Sequence, residues 1–572
     1  MKRILISLLA FLLALSMLLV GCSEEPPVTN DPDNNGGNGG TQPPPAGDTT
    51  FTKTENYLPA EVYTQMKAYF ESKEEGFQAY DDRHFAPLVS TDVFAISDCT
   101  VKSITIPVFS TGKADKDGNF SFSLYILSNA WATLRTEMAS PPEPIVISVN
   151  AEEHGLTETS IIRKFIKVDL SEYNIKLSAT QTLGFASSED TLVPARVRTS
   201  GTVDNLGKEK YLPAKYLIDN WERVGYYYYD TVNAAFSYTD NSLLFDFELE
   251  RTWTNEAAYN AEIAAKAQAD ADYAAKLEAV KAAYGDKCFS LIGDSISTFK
   301  TVTNNPLIHS SLSLNSSHYS IGTAVYDYTK TYWGRLSEQT GMDLCVINAW
   351  SGAKAYGTKS DEYKDNMLTR SYNLTTNAGK KPDVIILYYA VNDMLNSPSS
   401  VNGTSEDDFT GSLTTGNLYQ LLSDTNKTKS DKEIVAEWFA GVQYMADKAG
   451  YDPEKPSTIK PGETFITWEG SYALSLQNLK RLYPDAELFS ITLPEANHGS
   501  SRQPKLGSAN VVIRALAEYF EVALVDQDNS EVNKANCHVY ARDPHGLHPN
   551  GRGHAAVTKL IVEAMYEKLQ AK

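Results

Sequence analysis

Cysteine, positive charge and long apolar runs are all scarce in this sequence of 572 residues. Its five cysteines are too widely spaced for a thiolate metal site. The 51 lysines and arginines face 72 aspartates and glutamates, and the formal net charge of -21 argues against nucleic acid or an anionic membrane surface as a partner. Only one apolar run, near the amino terminus, approaches the length of a membrane span, so the rest of the chain is expected to be soluble.

That apolar run indicates a targeting segment over residues 1–22. Two basic residues precede an uncharged stretch from Ile4 to Val20, and the closing Leu-Val-Gly-Cys resembles the lipobox of bacterial lipoproteins. The resemblance implies cleavage before Cys22 and lipidation of its thiol, which would anchor the protein at the outer face of the cytoplasmic membrane or at the cell surface. A plain signal peptide and a transmembrane anchor are the alternatives. Residues 23–50, rich in Pro, Gly, Asn and Asp, predict a disordered linker.

Residues 51–254 predict an accessory β-sandwich of jelly-roll type, which begins with one helix within Leu58–Ser72. Short alternating runs are separated by turn residues, without intervening helices. The predicted strands are Val101–Phe109, Phe120–Leu127, Ile145–Val149, Phe165–Leu170, Ile175–Leu177, Thr182–Ala186 and Leu243–Leu249. The architecture resembles the accessory modules beside carbohydrate-active enzymes. Trp131, Trp221 and Tyr226 to Tyr229 are either glycan-binding aromatics or, as we prefer, core and interface residues.

A linking helix is predicted over 255–286, where the sequence is rich in Ala, Glu and Lys with one apolar stripe. From residue 287 to 572 strands alternate with helices, which predicts a three-layer, flavodoxin-like α/β domain with a parallel sheet. Cys288 and Cys345 fall in two of its strands and are expected to be buried thiols; a disulfide is permitted, but the sequence selects no pair. The long connection from Met394 to about Phe465 predicts an insertion that covers one side of the active site.

Four short motifs of this domain carry candidate catalytic residues; three follow strands, and the fourth precedes the last helix. Gly293-Asp294 breaks the first strand, so Ser295 stands on a sharp turn at its carboxyl end. Gly352 follows the second strand, Asn392 the third, and His548 precedes the last helix. In a sheet of order 2-1-3-4-5 the first and third strands flank the crevice, so Ser295 and Asn392 are expected to face each other.

Together these motifs resemble the SGNH (GDSL-type) hydrolase family. The resemblance implies an esterase in which Ser295 is the nucleophile and His548 the base. It further implies an oxyanion hole formed by the N–H groups of Ser295 and Gly352 and the side-chain amide of Asn392. No cofactor is implied. The expected substrate is an acylated carbohydrate, most simply an acetylated polysaccharide.

Two positions depart from the family pattern. The third motif normally begins with Gly, where this chain has Ala390. The fourth normally reads Asp-x-x-His, and the position of the acid is taken by His545. Asp543 is the candidate third member of the triad; a backbone carbonyl that accepts the Nδ1–H of His548 is the alternative.

Two other functions remain open on the sequence alone. The missing acid at 545 is also compatible with a catalytically weak or inactive, glycan-binding surface lipoprotein. A metal-dependent hydrolase is a third hypothesis, motivated by a group of residues near the chain end: Cys537, His538, Asp543, His545, His548 and His554. Their loop spacing does not match a helical zinc motif, and we predict no metal. Asp294, Asp383 and Asp393 are expected to be turn, cap or network carboxylates.

Overall fold

The computed structural model describes most of the chain after residue 49. The described ranges are 50–56, 58–72, 77–79, 85–94, 98–158, 161–187, 191–197, 226–230, 235–239, 245–298, 328–349, 352–355, 367–376, 378–395, 418–448, 450–454, 467–495, 503–533, 536–541 and 547–572. The predicted targeting segment with Cys22, and all but the last residue of the predicted linker, lie outside these ranges. No helix within them is both long and apolar enough to cross a membrane.

The first half of the described chain is a sandwich of two antiparallel sheets. One sheet has the order β1-β13-β4-β10-β2, with β7 and β8 also paired to β4, and the other has the order β12-β11-β3-β9-β5-β6. The strands are β1 Phe51–Asn56, β2 Phe77–Ala79, β3 Phe85–Phe94, β4 Cys99–Thr111, β5 Asn119–Ser128, β6 Ile145–Asn150, β7 Lys164–Asp169, β8 Ile175–Leu177, β9 Gln181–Ala186, β10 Leu192–Val197, β11 Tyr226–Asp230, β12 Ala235–Thr239 and β13 Asp246–Trp253.

The core of the sandwich lies between these sheets. The ring of Phe185 stacks on Phe122 at 5.3 Å and lies 4.7 Å from Phe245. Helix α1 (Ala60–Glu71) buries Val62, Met66 and Phe70 beside β7, as its apolar spacing predicts. The sequence analysis missed helix α2 (Trp131–Ala139), in which Trp131 is buried, so that residue is not an exposed glycan platform.

A helix of 29 residues, α3 (Glu256–Tyr284), follows the sandwich. It begins where the Asn255 side chain accepts the Ala258 N–H, a standard N-cap arrangement. Its middle is exposed, and its last turns bury Val280 and Tyr284 in the core of the following domain. The helix is therefore firmly attached at its carboxyl end.

The second half is a three-layer α/β domain, as predicted. Its parallel sheet has the order β15-β14-β16-β17-β18, which is the predicted order 2-1-3-4-5. The strands are β14 Cys288–Gly293, β15 Asp343–Ala349, β16 Val384–Tyr388, β17 Glu487–Ile491 and β18 Ala523–Val525. The helices are α4 Tyr332–Thr340, α5 Met367–Arg370, α6 Val391–Leu395, α7 Leu418–Ser423, α8 Asp431–Lys448, α9 Trp468–Leu482, α10 Gln503–Tyr519, α11 Cys537–Tyr540 and α12 Gly551–Gln570.

Cys288 and Cys345 form a disulfide, which corrects the expectation of two buried thiols. The two cysteines lie on the neighbouring strands β14 and β15, with Cα atoms 5.8 Å apart. The register of the pair shifts between Phe289 and Ser290, which leaves Cys345 as the extra residue on β15. The sequence did not reveal this register, because a bulge is a property of the pairing between two strands and neither strand's own sequence specifies it.

The long connection after the third strand contains helices α7 and α8, which pack into the domain core through Leu418, Val435 and Trp438. Residues 396–417 and 455–466 of this connection lie outside the described ranges. Its predicted role as a cover over the active site therefore stays a prediction.

Candidate active site

Ser295 stands on a tight turn at the carboxyl end of the central strand β14. The turn is a short 3₁₀ helix, Ser295–Ser297, capped by Asp294, whose Oδ1 accepts the Ile296 N–H at 3.0 Å. A Cβ at Gly293 would collide with the Ser297 side chain, so the strand ends at a residue that must be glycine. The local sequence Gly-Asp-Ser thus fixes the direction in which Ser295 leaves the sheet.

The Ser295 hydroxyl meets the imidazole of a residue 253 positions further along the chain. Ser295 Oγ lies 3.0 Å from Nε2 of His548. If the imidazole is neutral with its proton on Nδ1, Nε2 accepts the hydroxyl proton. This is the contact that a nucleophile and its general base require.

His548 is held in place by bonds on its carboxyl side. Pro549 forms an isolated antiparallel bridge with Ala541. The Asn550 side chain caps helix α12 by accepting the Gly553 N–H, and its amide donates to the carbonyls of Val539 and Ala541. The segment that carries His548 is therefore fastened both to α12 and to the end of α11.

The other two predicted oxyanion donors come from neighbouring segments at the same edge of the sheet. Gly352 has a φ of +79° and is exposed, so its backbone is open to a bound molecule. The Asn392 side-chain amide donates to the Ala353 carbonyl at 3.0 Å, and Asp393 accepts the Ala355 N–H at 2.8 Å. These bonds join the start of α6 to the segment that follows β15.

The sequence of this region matches a known family. Residues 291–556 match the model of the GDSL-like Lipase/Acylhydrolase family. We call the α/β domain that contains these residues the GDSL-like domain. No curated protein matches the chain at a significant level.

Solved structures similar to the chain include several hydrolases. One is a carbohydrate esterase family 2 enzyme plus carbohydrate binding domain from Corynascus thermopiles (Myceliophthora fergusii), 13% identical, with a TM-score of 0.27, covering 86% of this chain and 100% of its own. An acetyl xylan esterase is 15% identical, with a TM-score of 0.25 and coverage of 49% and 99%. An alpha/beta hydrolase enzyme from the metagenome of Lake Arreo, Spain, is 15% identical, with a TM-score of 0.26 and coverage of 49% and 94%.

Asp294 of the GDSL-like domain is a fully buried carboxylate beneath the nucleophile turn. Burial raises its pKa to about 7, against the opposing effects of the Ile296 N–H and of the charges on His548 and Arg370. Its Oδ2 has no hydrogen-bond partner among the described residues. Asp294 therefore caps the turn with a carboxyl group that is only partly ionised near neutral pH.

His554, one of the residues behind the metal hypothesis, belongs to the core. It is fully buried, and its Nδ1 accepts the Tyr332 N–H at 3.1 Å, which requires that nitrogen to be unprotonated. Burial lowers the pKa of His554 to about 3. Among the described residues there is no group of three or more potential ligands placed to hold a metal ion.

The remaining predicted residues have different outcomes. Asp383 accepts the Cys288 N–H at 2.8 Å. This bond lies at the amino end of β14, away from Ser295, so Asp383 stabilises the start of that strand. Asp543, His545 and Trp221 lie outside the described ranges, as do the side chains of His538 and of Tyr226 to Tyr229. The assignment of Asp543 as the third triad member stays a prediction.

Sequence analysis missed Arg370, the last residue of α5. It is 4% exposed, and its Nη1 donates to the Gly293 carbonyl at 3.0 Å and to the Tyr389 hydroxyl at 3.2 Å. No motif marks this arginine, because its surroundings are created by the convergence of three strands.

Proposed function

We propose that this protein is a serine esterase that acts outside the cytoplasm on carboxylic esters, and that its substrates are acetyl or similar acyl esters on polysaccharide. The 3.0 Å contact between Ser295 Oγ and His548 Nε2 carries the proposal of a serine mechanism. The GDSL-like domain supports the broader class, a hydrolase of esters.

The proposed reaction has two steps. His548 takes the hydroxyl proton as Ser295 Oγ bonds to the acyl carbon, and the carbonyl oxygen becomes an oxyanion. Collapse of this intermediate breaks the bond to the alcohol oxygen, which receives the proton from His548 and leaves. Water then attacks the acyl-enzyme, His548 takes its proton, and the acid is released while Ser295 regains its hydrogen.

The oxyanion would be stabilised by the N–H groups of Ser295 and Gly352 and by the Asn392 amide. Loss of one such donor typically costs about 10²–10³ in rate. Asp543, or a backbone carbonyl, would hold the Nδ1–H of His548 and set its tautomer.

The position of the sandwich supports a substrate larger than a simple ester. Strand β3 approaches helix α11, the same helix to which the His548 segment is fastened. A polymer bound at the serine is thus expected to extend toward the sandwich.

Two observations support an extracytoplasmic, lipid-anchored location. The sequence up to Cys22 has the pattern of a lipoprotein signal, and the Cys288–Cys345 disulfide is typical of an oxidising compartment. Incorporation of a fatty-acid label into the wild type but not into Cys22→Ser would support the anchor, and equal labelling would reject it.

The serine mechanism is tested with a small aryl acetate. Ser295→Ala should lower turnover by at least about 10³-fold, because the nucleophile is removed. Ser297→Ala is the matched control, because Ser297 lies on the same turn but bonds to the Tyr332 hydroxyl. This variant should keep its activity, and a fluorophosphonate should abolish that activity by labelling Ser295. Unchanged turnover in Ser295→Ala would reject the mechanism. A wild type that binds glycan but is not labelled at Ser295 would favour the inactive, glycan-binding alternative.

A further inference from the structure

Arg370 contacts all three strands whose ends carry the proposed catalytic groups. Its Nη1 donates to the carbonyl of Gly293, at the end of β14, and to the hydroxyl of Tyr389, directly after β16. Its own backbone carbonyl accepts the Asn348 side-chain amide of β15 at 3.1 Å. A single buried residue therefore joins the carboxyl ends of three neighbouring strands.

These contacts lie only a few residues before the groups that would act on the substrate. Gly293 is two residues before Ser295, Tyr389 is three before Asn392, and Asn348 is four before Gly352. Movement of any one strand end would shift a donor or the nucleophile relative to the others. Errors of about 1 Å in such a site can cost about 10²-fold in rate.

The chemistry of arginine suits this position. Nη1 carries two hydrogens in a fixed plane, so it can donate to the Gly293 and Tyr389 oxygens at once, whereas a lysine ammonium is a flexible point charge. In the described part of the chain no carboxylate lies within ion-pair distance of Arg370, although its charge acts on the buried Asp294. Burial of a guanidinium is costly unless its N–H groups are hydrogen-bonded, so the bonds to Gly293 and Tyr389 are needed where Arg370 lies.

We propose that Arg370 is a positioning residue whose guanidinium fixes the carboxyl ends of β14 and β16 relative to each other, so that Ser295 and Asn392 meet one acyl group. The bond to β15 comes from its backbone carbonyl and is expected to persist when the side chain is replaced. The proposal rests on the serine mechanism proposed above. It assigns Arg370 no contact with substrate, so its removal is expected to lower kcat and to leave KM nearly unchanged.

The test compares variants at position 370 on the small aryl acetate. Arg370→Met and Arg370→Lys should each lower kcat by about 10- to 10²-fold, with KM changed by less than about threefold. Tyr389→Phe, which removes one acceptor and keeps the Gly293 contact, should give an intermediate kcat. Guanidinium ion at a concentration well below the unfolding range should restore part of the activity of Arg370→Gly, while methylammonium should not.

The outcomes separate this proposal from the mechanism on which it depends. If Ser295→Ala is inactive but Arg370→Met keeps kcat within about twofold of the wild type, the positioning role is overturned and the mechanism stands. If Arg370→Met does not fold, Arg370→Lys decides: a folded lysine variant with wild-type kcat also overturns the proposal. A loss of activity in Arg370→Gly that guanidinium and methylammonium restore equally would overturn it as well, since charge alone would then suffice.

Discussion

Ala390 has a backbone φ of +90°, in the region that glycine adopts without strain. It lies between β16 and α6, two residues before Asn392, at the position where the family pattern has Gly. Its methyl group is fully buried. The replacement of the family's glycine by Ala390 therefore introduces backbone strain, and this strain lies next to a proposed oxyanion donor.

Ala390→Gly is expected to relieve that strain, worth about 1–2 kcal/mol. Ala473→Gly is the matched control, because Ala473 is also fully buried but lies within helix α9, where the change should destabilise by about 1 kcal/mol. Both variants lose a methyl group and gain unfolded-state entropy, so the difference between them reports the strain. Urea unfolding should show Ala390→Gly at least about 1 kcal/mol more stable than the control, and equal losses would contradict the prediction.

At the scale of elements, Glu469 connects two helices through a buried carboxyl group. It lies in the first turn of α9, is fully buried, and accepts the N–H groups of Leu418 and Tyr419 at the start of α7. Its Oε2 has no partner within the described residues. Burial raises the pKa of Glu469 to about 8, so at neutral pH the carboxyl group is mainly protonated.

This raised pKa predicts a pH-dependent stability. Between the ordinary glutamate pKa of 4.5 and about 8, the folded state keeps the proton that the unfolded state has lost. Stability therefore falls as the pH rises through this window, with a slope of at most about 1.4 kcal/mol per pH unit. Glu469→Gln keeps an acceptor for the two N–H groups and cannot ionise, so its stability relative to the wild type should increase with pH.

Urea midpoints of the wild type and Glu469→Gln, measured from pH 5 to pH 8.5, test this expectation. Glu338→Gln, on the exposed side of α4, serves as the control and should show no such trend relative to the wild type. A stability difference between Glu469→Gln and the wild type that stays constant over this range would show that the carboxyl group does not titrate as proposed.

The sequence predicted elements well where one local signal decided the outcome. The apolar run ending at Gly293-Asp294 placed Ser295 at a strand end, and the alternation of strands and helices predicted the parallel sheet, whose order is that of the expected doubly wound fold. Contacts between segments that are distant in the sequence were harder to predict. Arg370, the Cys288–Cys345 pair and the two-helix contact at Glu469 depend on register and convergence, which leave no pattern in any one stretch. Helix α2 was missed because its nine residues lie among strands and its three buried residues form only a short stripe.

At the scale of the whole molecule, the sandwich and the GDSL-like domain have separate cores. The cluster between the two sandwich sheets shares no residue with the one that surrounds the parallel sheet. Helix α3 adds Val280 and Tyr284 to the second of these cores. Two cores of this kind are expected to unfold in two steps, since cooperativity depends on shared packing.

The disulfide gives a means to distinguish the two steps. It lies wholly within the GDSL-like domain and closes a loop of 57 residues, which is expected to stabilise that domain by roughly 2–4 kcal/mol. Calorimetry with and without dithiothreitol should therefore show one transition that shifts down and one that does not. The shifted transition should coincide with the loss of aryl acetate turnover. Cys99, a free buried thiol of the sandwich, supplies the control: Cys99→Ala should move only the other transition. A reductant that moves both transitions equally would mean that the two halves unfold as one unit.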